Sequence, residues 1–182
     1  EVGLASGDVG TIKGNLVAQR TGETWQAMPV EGELHAHTDQ LGLVTLYVPD
    51  IDRAAGHLDG DMKIAGTLGT PLVDGTLKIT EGEIDYYQVN MGLRQLAFDA
   101  RLTDNGVDFK GSTRIGSGIA NAAGRLEWRN SLPYGKVNVE GSNLRVMDVP
   151  EAQIDASPNL QFNIVGRKID VAGAVKVPYA KI

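Results

Sequence analysis

GTLGTPLVDGTLKI, residues 66–79, sets glycine at 66, 69 and 75 among leucines at 68, 72 and 77, with proline at 71. No long helix tolerates that load, because a glycine inside a helix costs about 1 kcal/mol relative to alanine. Strands do tolerate it, and the flanking residues have a strand's period of two. Leu58, Gly60, Met62, Ile64, Gly66 and Leu68 share one parity, with Asp59, Asp61, Lys63, Ala65 and Thr67 between them. Side chains two apart in a strand point to one face, so the segment has an apolar side and a polar side.

The alternation runs along most of the chain. Leu96, Phe98, Ala100 and Leu102 stand against Asp99, Arg101 and Thr103. Leu160, Phe162, Ile164 and Gly166 form a further run, and Ile169, Val171, Gly173, Val175 and Val177 another. Asp104-Asn105-Gly106 reads as a hairpin turn, since asparagine and glycine accept positive φ. Ser131 to Gly135 and Ala156 to Asn159 read as longer connections. No stretch has a 3.6-residue period, and the best place for a helical turn is Pro150 to Ala152. The expectation is an all-β chain of roughly ten to thirteen strands. Short links make the pairing antiparallel, because parallel neighbours need long crossovers.

A recurring "apolar, any, glycine" signature places Gly14, Gly32, Gly60, Gly66, Gly75, Gly111, Gly141, Gly166 and Gly173 on the apolar side of their strands. Glycine weakens a strand there, but it lets the sheet bend and other backbone approach. With no helix to cover the apolar side, the sheet must close into a barrel, split into a sandwich, or curl until its apolar faces meet. The residues alone leave the open trough and the closed sandwich both standing.

Composition sets outer bounds. With 182 residues there is enough chain for a sizeable core, read as a single domain over 1–182. The absence of cysteine excludes a disulfide scaffold and thiolate chemistry. A formal charge of −6 disfavours nucleic acid and anionic membrane surfaces as direct partners. No apolar run approaches the roughly twenty residues of a membrane span. The chain reads as a segment of a longer protein, with any anchor or targeting signal outside it.

The succession GTLGTPLVDGTLKITEGEIDYY, LRQLAFDARLTDNGVDFKG, GSGIANAAGRLEW and VPEAQIDASPNLQFNIVGRKIDVAGAVKVPYAKI resembles the C-terminal region of the TamB family of translocation and assembly module subunits. The resemblance covers roughly residues 58–182 and rests on the order of its elements; residues 1–57 match in general character only. It implies a long, strongly curved, mostly antiparallel sheet forming a taco-like half-pipe with an apolar interior, as in the AsmA-like groove-forming lipid-transfer proteins. It also implies the periplasmic part of an inner-membrane-anchored Gram-negative protein, whose partner is the Omp85-class outer-membrane barrel TamA. The implied work is assembly of outer-membrane β-barrels such as autotransporters, or phospholipid transport between the two membranes through the same groove. No catalytic residue, cofactor or metal comes with it; the glycines, Pro71, Pro158 and Pro178 match in structural roles.

From parity and resemblance together, the residues expected to line a groove and meet client strands or acyl chains are Ile12, Leu16, Met62, Ile64, Leu68, Leu77, Ile79, Phe98, Leu102, Phe109, Ile115, Leu126, Val137, Val139, Phe162, Ile164, Val171 and Val175. Those expected to give the sheet its curvature are Gly14, Gly60, Gly66, Gly75, Gly111, Gly141, Gly166 and Gly173.

Other chemistry has weaker support. His35 and His37 share a strand face, with His57, Asp39 and Asp59 as conceivable zinc ligands, but nothing fixes a third ligand. Solvated histidines on the polar side are the simpler reading. Glu81, Glu83 and Asp85 share a parity and invite a glycosidase comparison; a charged, solvated strand face accounts for them far better. Gly116-Ser117-Gly118 lacks the spacing and following helix of a nucleophile elbow. Trp25 and Trp128 suggest a contact rim, although Trp128 has the parity of a buried residue. Three classes of function therefore compete: a transport or chaperone groove, a β-solenoid enzyme or adhesin for polysaccharide, and an inert spacer. The irregular strand spacing argues against the solenoid.

Overall fold

The computed structural model describes residues 2–6, 10–18, 24–39, 41–42 and 51–182. They form a single twelve-stranded antiparallel sheet. Its strands are β1 (Val2–Ser6), β2 (Gly10–Ala18), β3 (Val30–Thr38), β4 (Ile51–Gly66), β5 (Pro71–Tyr86), β6 (Met91–Thr103), β7 (Gly106–Ile115), β8 (Gly118–Arg129), β9 (Leu132–Ser142), β10 (Leu144–Val149), β11 (Ala152–Val165) and β12 (Lys168–Lys181). From β1 to β9 each strand pairs with its neighbours in the chain; β11 then takes β9 and β10 along one edge and β12 along the other. The sheet is not closed into a barrel.

Turn chemistry explains the connections. The β6–β7 hairpin turns at Asp104-Asn105 as expected, but the positive φ, 45°, falls on Asp104 rather than on Asn105 or Gly106. The β8–β9 hairpin turns on Asn130 and Ser131, both at positive φ, rather than on Ser131 to Gly135; Pro133, Tyr134 and Gly135 already belong to β9. Ala156 to Asn159 lies inside β11 and is not a connection. Pro158 is tolerated there because it faces the break between β9 and β10, where Asn143 adopts φ 50° and donates its N–H to Ser157 Oγ at 3.0 Å. Helical turns occur at Trp25–Ala27 and Tyr87–Val89, while Pro150 lies in an ordinary turn before β11. Leu68 lies in the turn beyond β4 rather than on a strand face, because Gly66 ends the strand at φ 88°. Gly166 likewise belongs to the β11–β12 turn, at φ 61°.

A line of irregularities crosses the sheet where regular alternation predicts none. Pairing slips between Ala55 and His57 in β4, around Gly82 in β5, and between Arg94 and Ala97 in β6. Glu81 and Gln95 sit at φ 52° within it. Each bulge adds a residue, bends its strand and steepens the local twist. Beyond this crease most of the buried positions gather: Leu41, Ala54, Thr113, Ile115, Leu144 and Ala156. β10 lies against β6, β7 and β8 here, and Asn90 Nδ2 donates to the Asp148 carbonyl at 2.8 Å. Ile115 is therefore core beneath β10.

Leu144, 4% exposed, anchors this corner. Leu144→Ala is expected to cost about 2–5 kcal/mol. At roughly 2–4 °C per kcal/mol for a chain of this size, the fall is visible in a thermal melt. An unchanged melting temperature would show that β10 is not clamped.

Candidate functional site

Strand register assembles the apolar parity into continuous rows across the sheet. One row runs Ile12, Ala36, Gly60, Leu77, Ala100, Phe109, Gly124, Val137, Phe162 and Val171, each opposite the next on the neighbouring strand. The row beside it runs Gly14, Leu34, Met62, Gly75, Leu102, Val107, Leu126, Gly135, Ile164 and Ile169. On its other side run Leu58, Ile79, Phe98, Gly111, Ala122, Val139, Leu160 and Gly173. Gly32, Ile64 and Val73 extend the apolar side toward the β4–β5 turn, and Gly141 lies opposite Ala120.

The residues singled out from sequence thus fall on one side of one sheet, apart from Leu68, Gly66 and Gly166 at turns. Ile12 keeps its register position, though its side chain lies outside the described residues. In the middle strands these side chains are partly buried, whereas the intervening Lys78, Asp99, Lys110, Asn138 and Gln161 are exposed. Toward the edges the apolar side chains open to solvent: Leu16 at β2, and Ile169, Val171 and Val175 on β12, are each about half exposed. Phe98 and Phe109 stack at 5.9 Å between centroids, on adjacent strands.

Glycine in these rows permits backbone contact. A Cβ placed on Gly75 would lie 2.1 Å from the Asp61 carbonyl oxygen, and one on Gly173 2.0 Å from that of Asn159. Gly118 and Gly135 are as tight, against Ser142 and Arg125. Sequence alone points to neither for this role, since Gly135 reads as part of a connection and Gly118 as part of the Gly-Ser-Gly segment. Its signal was available, because Gly135 shares its parity with Val137 and Val139.

At the strand ends, a cavity of about 530 Å³ lies between the β4–β5, β6–β7 and β8–β9 turns, with Pro71, Val73, Leu102 and Trp128 in its wall. Trp128 is 44% exposed and Trp25 64%. The segment carrying Trp25 is tied to the β4–β5 turn, as the Leu68 and Gly69 N–H groups donate to Met28 and Gln26 carbonyls at 3.0 and 2.8 Å.

The opposite side of the sheet is an ionic lattice. His37, Asp59, Lys78, Asp99 and Lys110 stand opposite one another in succession, with signs alternating when the histidine is protonated. Arg101, Asp108 and Arg125 do the same, with Arg125 Nη1 2.9 Å from Asp108 Oδ2. Arg129 and Arg125 hold the Glu127 carboxyl below its usual range. Such alternation reinforces register on a face with no apolar cue.

The histidines join this lattice. Nδ1 of His35 is 2.6 Å from Asp61, that of His37 is 2.6 Å from Asp59, and that of His57 is 2.8 Å from Asp39. Asp59 raises the pKa of His37 above the ordinary histidine value, chiefly through its hydrogen bond, and Asp39 does the same for His57. Among the described residues, no three His, Cys, Asp or Glu side chains are grouped to hold a metal ion. Glu81, Glu83 and Asp85 each face a basic group, respectively His57, Arg53 and Arg94. The bulge at Glu81 also breaks the parity that aligns them in the sequence.

Comparison with known proteins gives a relative of low identity. The chain is 23% identical, over 129 residues, to the translocation and assembly module subunit TamB of Haemophilus influenzae, a match that covers 70% of this chain and 10% of the relative. It thus spans about a tenth of that protein's length. No family model matches, and no solved structure does.

Proposed function

We propose that this chain is a periplasmic, TamB-like segment, from the C-terminal region of an inner-membrane-anchored translocation and assembly module subunit. Its apolar side forms the wall of a groove that receives strands of outer-membrane β-barrel proteins during their assembly. The observation that carries this reading is the set of apolar rows over successive strands, with no second layer across their middle among the described residues. An apolar surface of that extent needs an occupant. The low-identity likeness to TamB supports the same conclusion. We propose further that the sheet curls about these rows into a half-pipe, supported by the reach of β10 to β6, β7 and β8 and by the crease across β4, β5 and β6. The outer-membrane barrel TamA is then its partner, and the segment carries out no reaction of its own.

Phospholipid transport is the second reading, favoured by the make-up of the rows, which consist of apolar side chains and glycine. A photo-crosslinking phenylalanine analogue at Phe162, introduced into the protein in a Gram-negative cell, tests both. Adducts to nascent barrel proteins support the first reading, and adducts to phospholipid support the second. Efficient crosslinking to neither, with the protein folded, removes the groove reading.

A further inference from the structure

The chain has three histidines, and all of them lie on the polar side of β3 and β4 against a carboxylate. The first two cross the seam between these strands as an antiparallel His-x-His against Asp-x-Asp match: His35 opposite Asp61 and His37 opposite Asp59. Asp39 then continues the chain of contacts, lying 3.6 Å from His37 Nε2 and bonded to His57, whose Nε2 is 3.4 Å from Glu81 on β5.

The other groups around this seam are known. Lys13 and Thr11 of β2 face His35 and His37, while Lys78, Thr76 and Thr80 of β5 face Asp59, Asp61 and His57. Glu33 lies 3.9 Å from both His35 Nε2 and Lys63 Nζ. With the imidazoles neutral, Glu33, Asp39, Asp59, Asp61 and Glu81 are balanced among these groups by Lys13, Lys63 and Lys78 alone. With the imidazoles protonated, nearly every carboxylate has a cation across or along the seam.

We propose that the β3–β4 seam is a pH-responsive latch, in which protonated His37 and His57 clamp the first strands onto the rest of the sheet and their deprotonation loosens them. The direction follows from linkage. His37 and His57 are raised in the folded chain, so their stabilisation is fully present below the unfolded histidine value of about 6.5. It is lost as pH rises through the raised folded values. Each pair is exposed and weak on its own; concentration in one seam gives the effect its location. The latch acts on strands at one end of the apolar rows, so mild acid lengthens the ordered sheet.

Amide hydrogen exchange on the 182-residue chain, at about pH 5.5 and about pH 8 and corrected for intrinsic exchange rates, tests this. β3 is expected to be protected several-fold more in acid. The β8–β9 seam, which contains no histidine, should show no such difference. Replacing all three residues (His35→Gln, His37→Gln, His57→Gln) is expected to remove the difference in β3. Equal protection of wild-type β3 at both pH values overturns the latch, as does a difference that survives the triple replacement. Should that variant fail to fold, the titration of the His37 imidazole by NMR decides. Asp59→Asn must return it toward the ordinary histidine range, and an unmoved titration overturns the proposal.

Discussion

Gly75→Ala is expected to be among the most damaging single-methyl additions in this chain. Gly75 lies between Met62 and Leu102 in an apolar row. Its missing Cβ would meet the Asp61 carbonyl oxygen at 2.1 Å and Met62 Cα at 2.7 Å. Both are backbone atoms held by the β4–β5 ladder, so no rotamer change relieves the contact. The strands must part or the sheet must flatten. A loss of at least about 3 kcal/mol is expected, lowering the melting temperature by about 6–12 °C. Gly42→Ala is the control, since its Cβ would meet nothing nearer than the Ala54 carbonyl at 3.7 Å. Equal melting temperatures for the two variants would mean that the close approach at Gly75 is not part of the fold in solution.

The second large effect concerns function. Ile164→Asp puts a carboxylate between Gly135 and Ile169 in an apolar row. On an open face the carboxylate reaches water and the chain still folds. Any acyl chain or apolar strand passing there must then desolvate a charge, at a cost of several kcal/mol. Under the proposed groove function, delivery of an autotransporter to the cell surface is therefore expected to fail while the melting curve is little changed. Leu68→Asp, in the exposed β4–β5 turn, is expected to affect neither. Unfolding of the Ile164 variant would mean a closed core, because buried charge consumes much of the roughly 5–15 kcal/mol that holds a domain. A folded Ile164 variant with normal delivery would mean that cargo does not pass this face.

Most of the sheet was legible because period two is the strongest short-range signal in a chain. Phe98, Phe109, Val137 and Phe162 declared their side by parity alone, and register only had to align them. The crease was not legible. A bulge adds one residue without changing composition, and its positive-φ positions are Glu81 and Gln95 rather than glycine. Leu68 and Gly166 were misplaced for a related reason, since parity runs on unbroken through a tight turn. Pro158 misled in the opposite direction. Proline ordinarily ends a strand, but here the neighbouring strand breaks beside it and asks for no N–H. The ionic lattice was partly visible as charges between apolar residues. Which charge faces which depends on register, which sequence gives only through the turns.

The succession in which β1 to β9 each pair with their chain neighbours also bears on how such a sheet is built and how its size is set. Every closure is the closure of one hairpin, so the entropic cost of each step is small and independent of how many strands already stand. Growth is by accretion, without the all-or-none closure that a barrel demands. One further hairpin lengthens the sheet by about 10 Å, given a strand spacing near 4.8 Å. It does so without altering the pairing of any earlier strand. Hairpin number is thus a ruler, and an architecture of this kind can be matched to the distance it must cover by duplication or deletion of a single repeat-sized unit.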